Sequence, residues 1–330
     1  SEYGFSMIEM MISITIGLMI LAALTGVLAS NSRSAKTNDR TSELQSNGRY
    51  ALDHLKRELR HAGYRGYTWA EPTSPPTTPP VLTNPAGSVP ECGGAGNGFV
   101  QNIRQGIWGA NDSNPFSANC IPDATYNGVS SDVLVIRRAA NASTPNTLAP
   151  ALVANAVYFR SAYAVGEIFQ GITGPVIAGA ADFAVQVSVY YIGQDDTDPN
   201  VPALRRVRLQ TDTDPVAVRG SMVDEMVVRG IEHMQVQYGR ATQDLNTQYY
   251  TANAIPGAST DSPTTLSTYA WDEVNSVRIW LLARNSKPEN GYSNTNSYEM
   301  GDLTIANGTA YTVNDSFRRQ LFSVVVQLRN

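Results

Sequence analysis

The stretch Gly4-Phe5-Ser6-Met7-Ile8-Glu9-Met10 opens an apolar run that continues to about Ala29. Across positions 5–29 Glu9 is the only formally charged residue, and the length matches the roughly 20 residues an α-helix needs to cross a bilayer. A carboxylate in such a run costs about 1–3 kcal/mol depending on depth, so it calls for a cationic partner and a task. The helical pattern does not stop at Ala29. Residues 30–42 are mostly polar and contain no proline, and then Leu44, Ala51, Leu55, Leu59 and Ala62 return at spacings of three, four or seven. The spacing predicts one helix over 5–62, roughly 85 Å long. Its first half is membrane-length, its second half lays an apolar stripe on a head, and Gly63 follows as a C-terminal stop. Gly17 and Gly26 each cost about 1 kcal/mol relative to alanine, which marks them either as bending points or as sites of close helix packing.

The chain of 330 residues is long enough for one large or two ordinary domains. Charged residues make up 16%, below the usual quarter, while Gly, Pro, Asn, Ser and Thr are abundant, a balance that suits a turn-rich extracytoplasmic β protein. A net charge of −5 and a pI near 5.3 exclude nucleic acid as the main direct partner. The basic pairs Arg137-Arg138, Arg205-Arg206 and Arg318-Arg319 lie in strand-like segments and read as solvated faces. There are two cysteines, Cys92 and Cys120, both in loop-like sequence. In the oxidising compartment that the apolar run implies, they read as a disulfide contributing roughly 3–4 kcal/mol.

From 72 to about 131 the chain carries turn signals, among them Pro75-Pro76, Pro79-Pro80 and Gly93-Gly94, and little periodicity. Such a loop must be functional or pinned, and the cysteine bridge is the pin. Phe99 and Trp108 read as a small local core there, with exposed aromatics for a partner as the alternative. Beyond it, short β-branched runs at 132–138, 152–160, 183–192, 204–210, 226–238, 274–284 and 317–329 are separated by turn residues. A long helix followed by strands alone indicates an α+β head with antiparallel sheets.

The sequence offers little for catalysis. His54 and His61 are seven apart on one helix face, whereas metal pairs prefer i,i+4, and His233 stands apart. No nucleophile elbow, P-loop, dinucleotide fingerprint or zinc-protease motif occurs. The glycine run at 93–98 follows proline-rich sequence and precedes no helix, so it reads as a loop and not as a phosphate cradle. Asp195, Asp196 and Asp198 suggest calcium, but the spacing lacks the EF-hand glycine and distal glutamate, so a polar hairpin tip is the reading. Neither enzymatic activity nor a cofactor is expected.

The motif G-F-S-M-I-E-M-M-I-S-I resembles the signal shared by type IV pilins and type II secretion pseudopilins. The resemblance implies cleavage by a prepilin peptidase between Gly4 and Phe5, methylation of the new N-terminus, and pairing of Glu9 with the α-amino group of a neighbouring subunit. The segment N-G-R-Y-A-L-D-H-L-K-R-E-L-R-H-A-G-Y-R-G at 47–66 is similar to the helix end of minor pilins of the PilW family. So are V-V-R-G-I-E-H-M-Q-V-Q-Y-G at 227–239, W-D-E-V-N-S-V-R-I-W-L-L-A-R at 271–284 and the C-terminal F-R-R-Q-L-F-S-V-V-V-Q-L-R-N. The likeness covers both ends and most strands, and leaves about 71–131 unmatched. Many major pilins carry a proline near Gly26 and this chain does not.

The resemblance implies a type IV pilin-like fold: a long N-terminal α-helix packed on a mostly antiparallel β-sheet head. The expected organisation is a leader remnant at 1–4, a transmembrane and filament-core half-helix at 5–29, an amphipathic half at 30–63, a Pro/Gly-rich loop region with the disulfide at 64–131, and a β-rich head at 132–330. The implied role is a minor pilin that primes type IV pilus assembly and sits in a tip complex, moving from the inner membrane to the extracellular pilus. Its implied partners are other minor pilins, the major pilin, the prepilin peptidase and a large tip adhesin. The visible flanks carry Glu2 before the run and Arg33, Lys36 and Arg40 after it, which by charge alone puts the head in the cytoplasm. A basic leader upstream of Ser1 reconciles the two. The alternatives are a J-type pseudopilin of type II secretion, a membrane-anchored adhesin or hydrolase, a plain anchor, and an ordinary signal peptide cut near Ala29. A major filament subunit is disfavoured by the size of the head.

Overall fold

The computed structural model describes residues 4, 6–70, 80–82, 85–92, 98–116, 120–122, 131–144, 152–242, 244, 246–259, 261–262, 264, 270–302 and 311–328. Phe5, the proline pair at 75–76, Pro79 and the glycine-rich residues 93–97 lie outside them. Helix α1 (Met7–Arg60) runs unbroken through Gly17 and Gly26 for 54 residues, about 80 Å. Ser6 is its N-cap and His61 its C-cap, with Gly63 at φ 76° two residues on.

The buried stripe of α1 is Leu44, Gly48, Ala51, Leu55 and Leu59, at successive spacings of four, three, four and four. Each buried leucine contributes about 1.5–3 kcal/mol. Gly48 is the position that a search for apolar residues passes over. A methyl group built there would overlap the ring of Phe322, so the absent side chain is what lets strand and helix approach.

Seven strands form the first sheet: β1 (Ile107–Ala110), β2 (Val133–Ala139), β3 (Val157–Ala162), β4 (Val165–Gln170), β5 (Ala181–Gln194), β6 (Pro202–Leu209) and β7 (Met222–Arg229). The 14-residue β5 is its spine. β2 pairs along one edge of β5, while β3 and then β6 pair in tandem along the other. The second sheet has the order β13 (Arg319–Gln327), β10 (Val274–Arg284), β8 (Ile231–Ala241), β9 (Thr247–Tyr250), and a short ribbon joins β11 (Ser297–Tyr298) to β12 (Tyr311–Thr312). All of these strand pairs are antiparallel.

Helix α1 bridges the two sheets. His54 Nε2 lies 3.0 Å from the Tyr190 hydroxyl on β5, and Glu58 pairs with Arg138 on β2 at 3.3 Å, while Gly48 meets Phe322 on β13. Burial lowers the His54 pKa.

The run read as one strand at 226–238 is two strands in different sheets. Gly230, at φ 80°, separates β7 from β8, a backbone state that a β-branched run cannot enter without strain.

The 64–131 region also differs from a plain loop. It contributes β1, which pairs with β2 from Ile107↔Ile136 to Ala110↔Val133. Phe99, Ile103 and Trp108 belong to the main core and not to a local one, and Cys92 and Cys120 form a disulfide with 4.6 Å between their Cα atoms.

The arginine pairs are the clearest correction. Arg137 and Arg205 are buried and the Arg319 side chain is 2% exposed, so none of the three is a solvated face. Arg137 donates to the carbonyls of Phe99 and Gln105, and burial lowers its pKa to about 9. Arg205 reaches Asp224 at 2.7 Å and Asp196 at 2.5 Å, and Arg319 reaches Asp315 at 2.7 Å and Glu232 at 2.5 Å. Asp224 on β7 and Glu232 on β8 are brought in from other strands, which a count of local charge does not reveal, whereas Asp315 is only four residues from Arg319.

Candidate functional site: the uncovered half of the helix

From Met7 to Leu28 the large apolar side chains of α1 stand at least half exposed, with Met7 at 85% and Leu28 at 60%. The 18-residue window that reads as a membrane span has a mean hydropathy of 2.3, and none of it is buried against the described residues of the head. The head closes on the helix only further along. Thr37 donates to Glu289 at 3.1 Å and Arg40 to the Pro288 carbonyl at 3.3 Å, and Arg318 beside Glu289 holds that carboxyl below its ordinary pKa.

The polar groups within the exposed run are turned inward on their own helix. Ser13 donates to the Glu9 carbonyl at 2.8 Å, Thr15 to Ile12 at 2.9 Å and Thr25 to Ala22 at 2.9 Å. An apolar surrounding would demand this, because an unsatisfied hydroxyl there costs several kcal/mol. Glu9 likewise has a local role that attention to an intermolecular partner passes over. It is the third residue after the Ser6 N-cap: its Oε2 accepts from the Ser6 amide at 3.0 Å, and the Ser6 hydroxyl accepts from Ile8 at 3.4 Å. The signal is present in the sequence as Ser6-Met7-Ile8-Glu9, the S-x-x-E capping box.

The family described as Type IV Pilus-assembly protein W, PilW, matches over residues 189–330, and the Prokaryotic N-terminal methylation motif matches over residues 1–25. The chain thus joins a pilin-type N-terminal methylation motif to a C-terminal region similar to the PilW family. Its PilW region starts within β5 and takes in the whole second sheet, the part of the head against which Gly48 of α1 is packed. Among solved structures, a type IV-like pilin from Thermus thermophilus aligns at 14% identity with a TM-score of 0.33, the alignment covering 88% of this chain, and 96% of that one. No curated protein matches. The methylation motif and the apolar helix fit a membrane-anchored precursor that is processed by a prepilin peptidase and becomes part of a pilus with other pilus components.

The other clusters have structural employment. At the 195–200 turn, Asp195 accepts from the amides of Thr197 and Asp198, Asp196 pairs with Arg205, and Asp198 accepts from Asn200. His61 Nδ1 lies 2.9 Å from the Arg57 carbonyl, and His233 packs 4.5 Å from the ring of Tyr311. Among the described residues no group of three His, Cys, Asp or Glu can hold a metal ion. Proteins of the pilin family and fold are typically structural.

Proposed function

We propose that this chain is a minor pilin that helps prime type IV pilus assembly and sits with other minor pilins in a tip complex. The observation that carries the reading is the uncovered apolar half of α1, continuous with a second half clasped by the head. Alone, that surface is tolerable only in a bilayer. In a filament it is buried by the equivalent helices of neighbouring subunits, and the same element thereby serves as anchor and as assembly handle.

In this reading, cleavage between Gly4 and Phe5 creates an α-ammonium at each subunit's N-terminus. Glu9 of a neighbour receives it, since a carboxylate in a low-dielectric bundle requires a cation. A carboxylate accepts several hydrogen bonds, so the capping bond from Ser6 and the intermolecular pair are compatible. Exchanging Glu9 for alanine removes both, whereas Glu9→Gln keeps an acceptor for the cap and removes the charge. Both variants are expected to reach the membrane and to be lost from sheared pili, with piliation reduced. Wild-type recruitment of Glu9→Gln would overturn the pairing and leave only the cap.

A further inference from the structure

Strand β10 carries an arginine that the head leaves uncommitted. The other described arginines beyond α1 each have a hydrogen bond or an ion pair. Arg278 has neither among the described residues. It is partly exposed, and none of its nitrogens is shut off from water. It is nevertheless held in place. Its guanidinium carbon lies 4.1 Å from the centre of the Tyr249 ring and 5.6 Å from that of Trp280, so two aromatic side chains fix the group and leave its N–H fork facing outward. Tyr249 on β9 reaches across β8 at Gly239, where a methyl group would collide with Ser276 and Thr247, and its hydroxyl accepts from Ser276 at 3.4 Å. Trp, Tyr and Arg are the residue types that dominate the energetics of protein–protein interfaces.

The same face ends at a free edge. Strand β13 is outermost in the second sheet, paired on one side with β10. The Leu328 amide donates to the Asn275 carbonyl at 2.9 Å, which sets the register so that the main chain of Gln320, Phe322, Val324 and Val326 is directed at β10. The N–H and C=O groups of Leu321, Ser323, Val325 and Gln327 point the other way, where the described residues offer no strand. Folded proteins blunt such edges with proline, lysine or a short strand. Residues 320–327 hold neither proline nor charge, and Ser323, Val325 and Gln327 are exposed. Val325 stands opposite Arg278 and, with Thr247, Tyr249, Ser276 and Gln327, lines a recess of about 250 Å³. β13 runs in the same sense as α1, with Phe322 at Gly48 and Leu328 near Ala62, so edge and recess lie toward the end of the head away from the exposed half-helix.

We propose that this face docks another protein, which lays an extended segment along the β13 edge and places an aspartate or glutamate carboxylate on Arg278. Unpaired main-chain donors and acceptors at the spacing of a strand complement a polypeptide, and neither a glycan nor a lipid surface repeats that pattern. An uncompensated guanidinium fork matches a carboxylate in charge and geometry, and the flanking rings spare it the entropy of being fixed on binding. The partner need not be a pilin, so the docking stands apart from the pilus reading.

The test is photo-crosslinking of the full chain in living cells, with Ser323→p-benzoylphenylalanine on β13 and mass spectrometry of the adduct. Membranes and sheared pili are both scored, so a chain that fails to enter pili still reports on docking. A protein adduct is expected, its crosslinked segment containing Asp or Glu. Two further changes decide its meaning. Arg278→Glu reverses the charge, and Val325→Pro removes an amide that faces away from β10 and leaves the β10 ladder intact. Each is expected to lower the adduct yield at least fivefold, with melting curves that confirm the fold. If the proline variant does not fold, Arg278→Glu decides alone. Absence of a protein adduct, an adduct to glycan or lipid in its place, or an undiminished yield in either folded variant would overturn the proposal.

Discussion

Asp132 shows how a single buried group ties distant parts of the head together. Its carboxylate accepts from the amide of Val236 at 2.7 Å and from that of Asp112 at 3.0 Å, joining the start of β2 to β8 and to the turn after β1. Burial pushes its pKa up to about 8, with the nearby Asp112 and Asp302 adding to the rise against the two backbone bonds. A raised carboxyl pKa means that the folded state holds a proton the unfolded state has lost above about pH 4. The head therefore loses stability as pH rises from about 4 to about 8, with a slope of at most about 1.4 kcal/mol per pH unit from this group. In Asp132→Asn that slope should vanish, whatever the constant cost of placing an amide against one of the two N–H donors. Thermal melts of both proteins from about pH 5 to about pH 8 check this: the wild-type curve should fall more steeply, and parallel curves would show that Asp132 does not titrate in the window.

Among the elements, α1 decides the architecture and Gly48 decides how closely the second sheet meets it. Exchange of Gly48 for alanine gains about 1 kcal/mol of helix propensity, but it drives a methyl into the Phe322 ring, and overpacking of that kind costs about 1–3 kcal/mol. The expected net result is a lower melting temperature for Gly48→Ala and partial recovery in Gly48→Ala with Phe322→Leu. A stabilised single variant would show that helix and β13 can separate without loss. Much of this level is legible in the sequence. The stripe at Leu44, Ala51, Leu55 and Leu59 gives the buried face, and the run at 274–284 coincides with β10. What escapes has identifiable causes. A glycine inside an apolar spacing carries no hydrophobic signal, so Gly48 is invisible there. The β1 strand lies among turn residues and owes its existence to the register with β2. Gly230 is readable only as one more residue in a strand, because nothing local says that the chain changes sheets there. The arginines at 137, 205 and 319 look solvated because Gln105, Asp224 and Glu232, which hold them, are brought in by tertiary structure.

For the molecule as a whole, one helix is shared between two environments. Residues 44–59 are committed to the head, and residues 7–28 have no cover among the described residues. The N-terminal motif supplies the processing expectation at Gly4 and Phe5 and the pairing expectation at Glu9; the cap that Glu9 makes with Ser6 is written in the same four residues. The open face of the second sheet cannot be read that way, because Tyr249, Arg278 and Val325 are far apart in sequence. In the proposed function the exposed half-helix, freed of its leader, passes from the bilayer into the pilus. Mass spectrometry of the N-terminal peptide from sheared pili is the sharpest test of that passage: the expected peptide begins with methylated Phe5, and one that begins at Ser30 or retains residues 1–4 would contradict it.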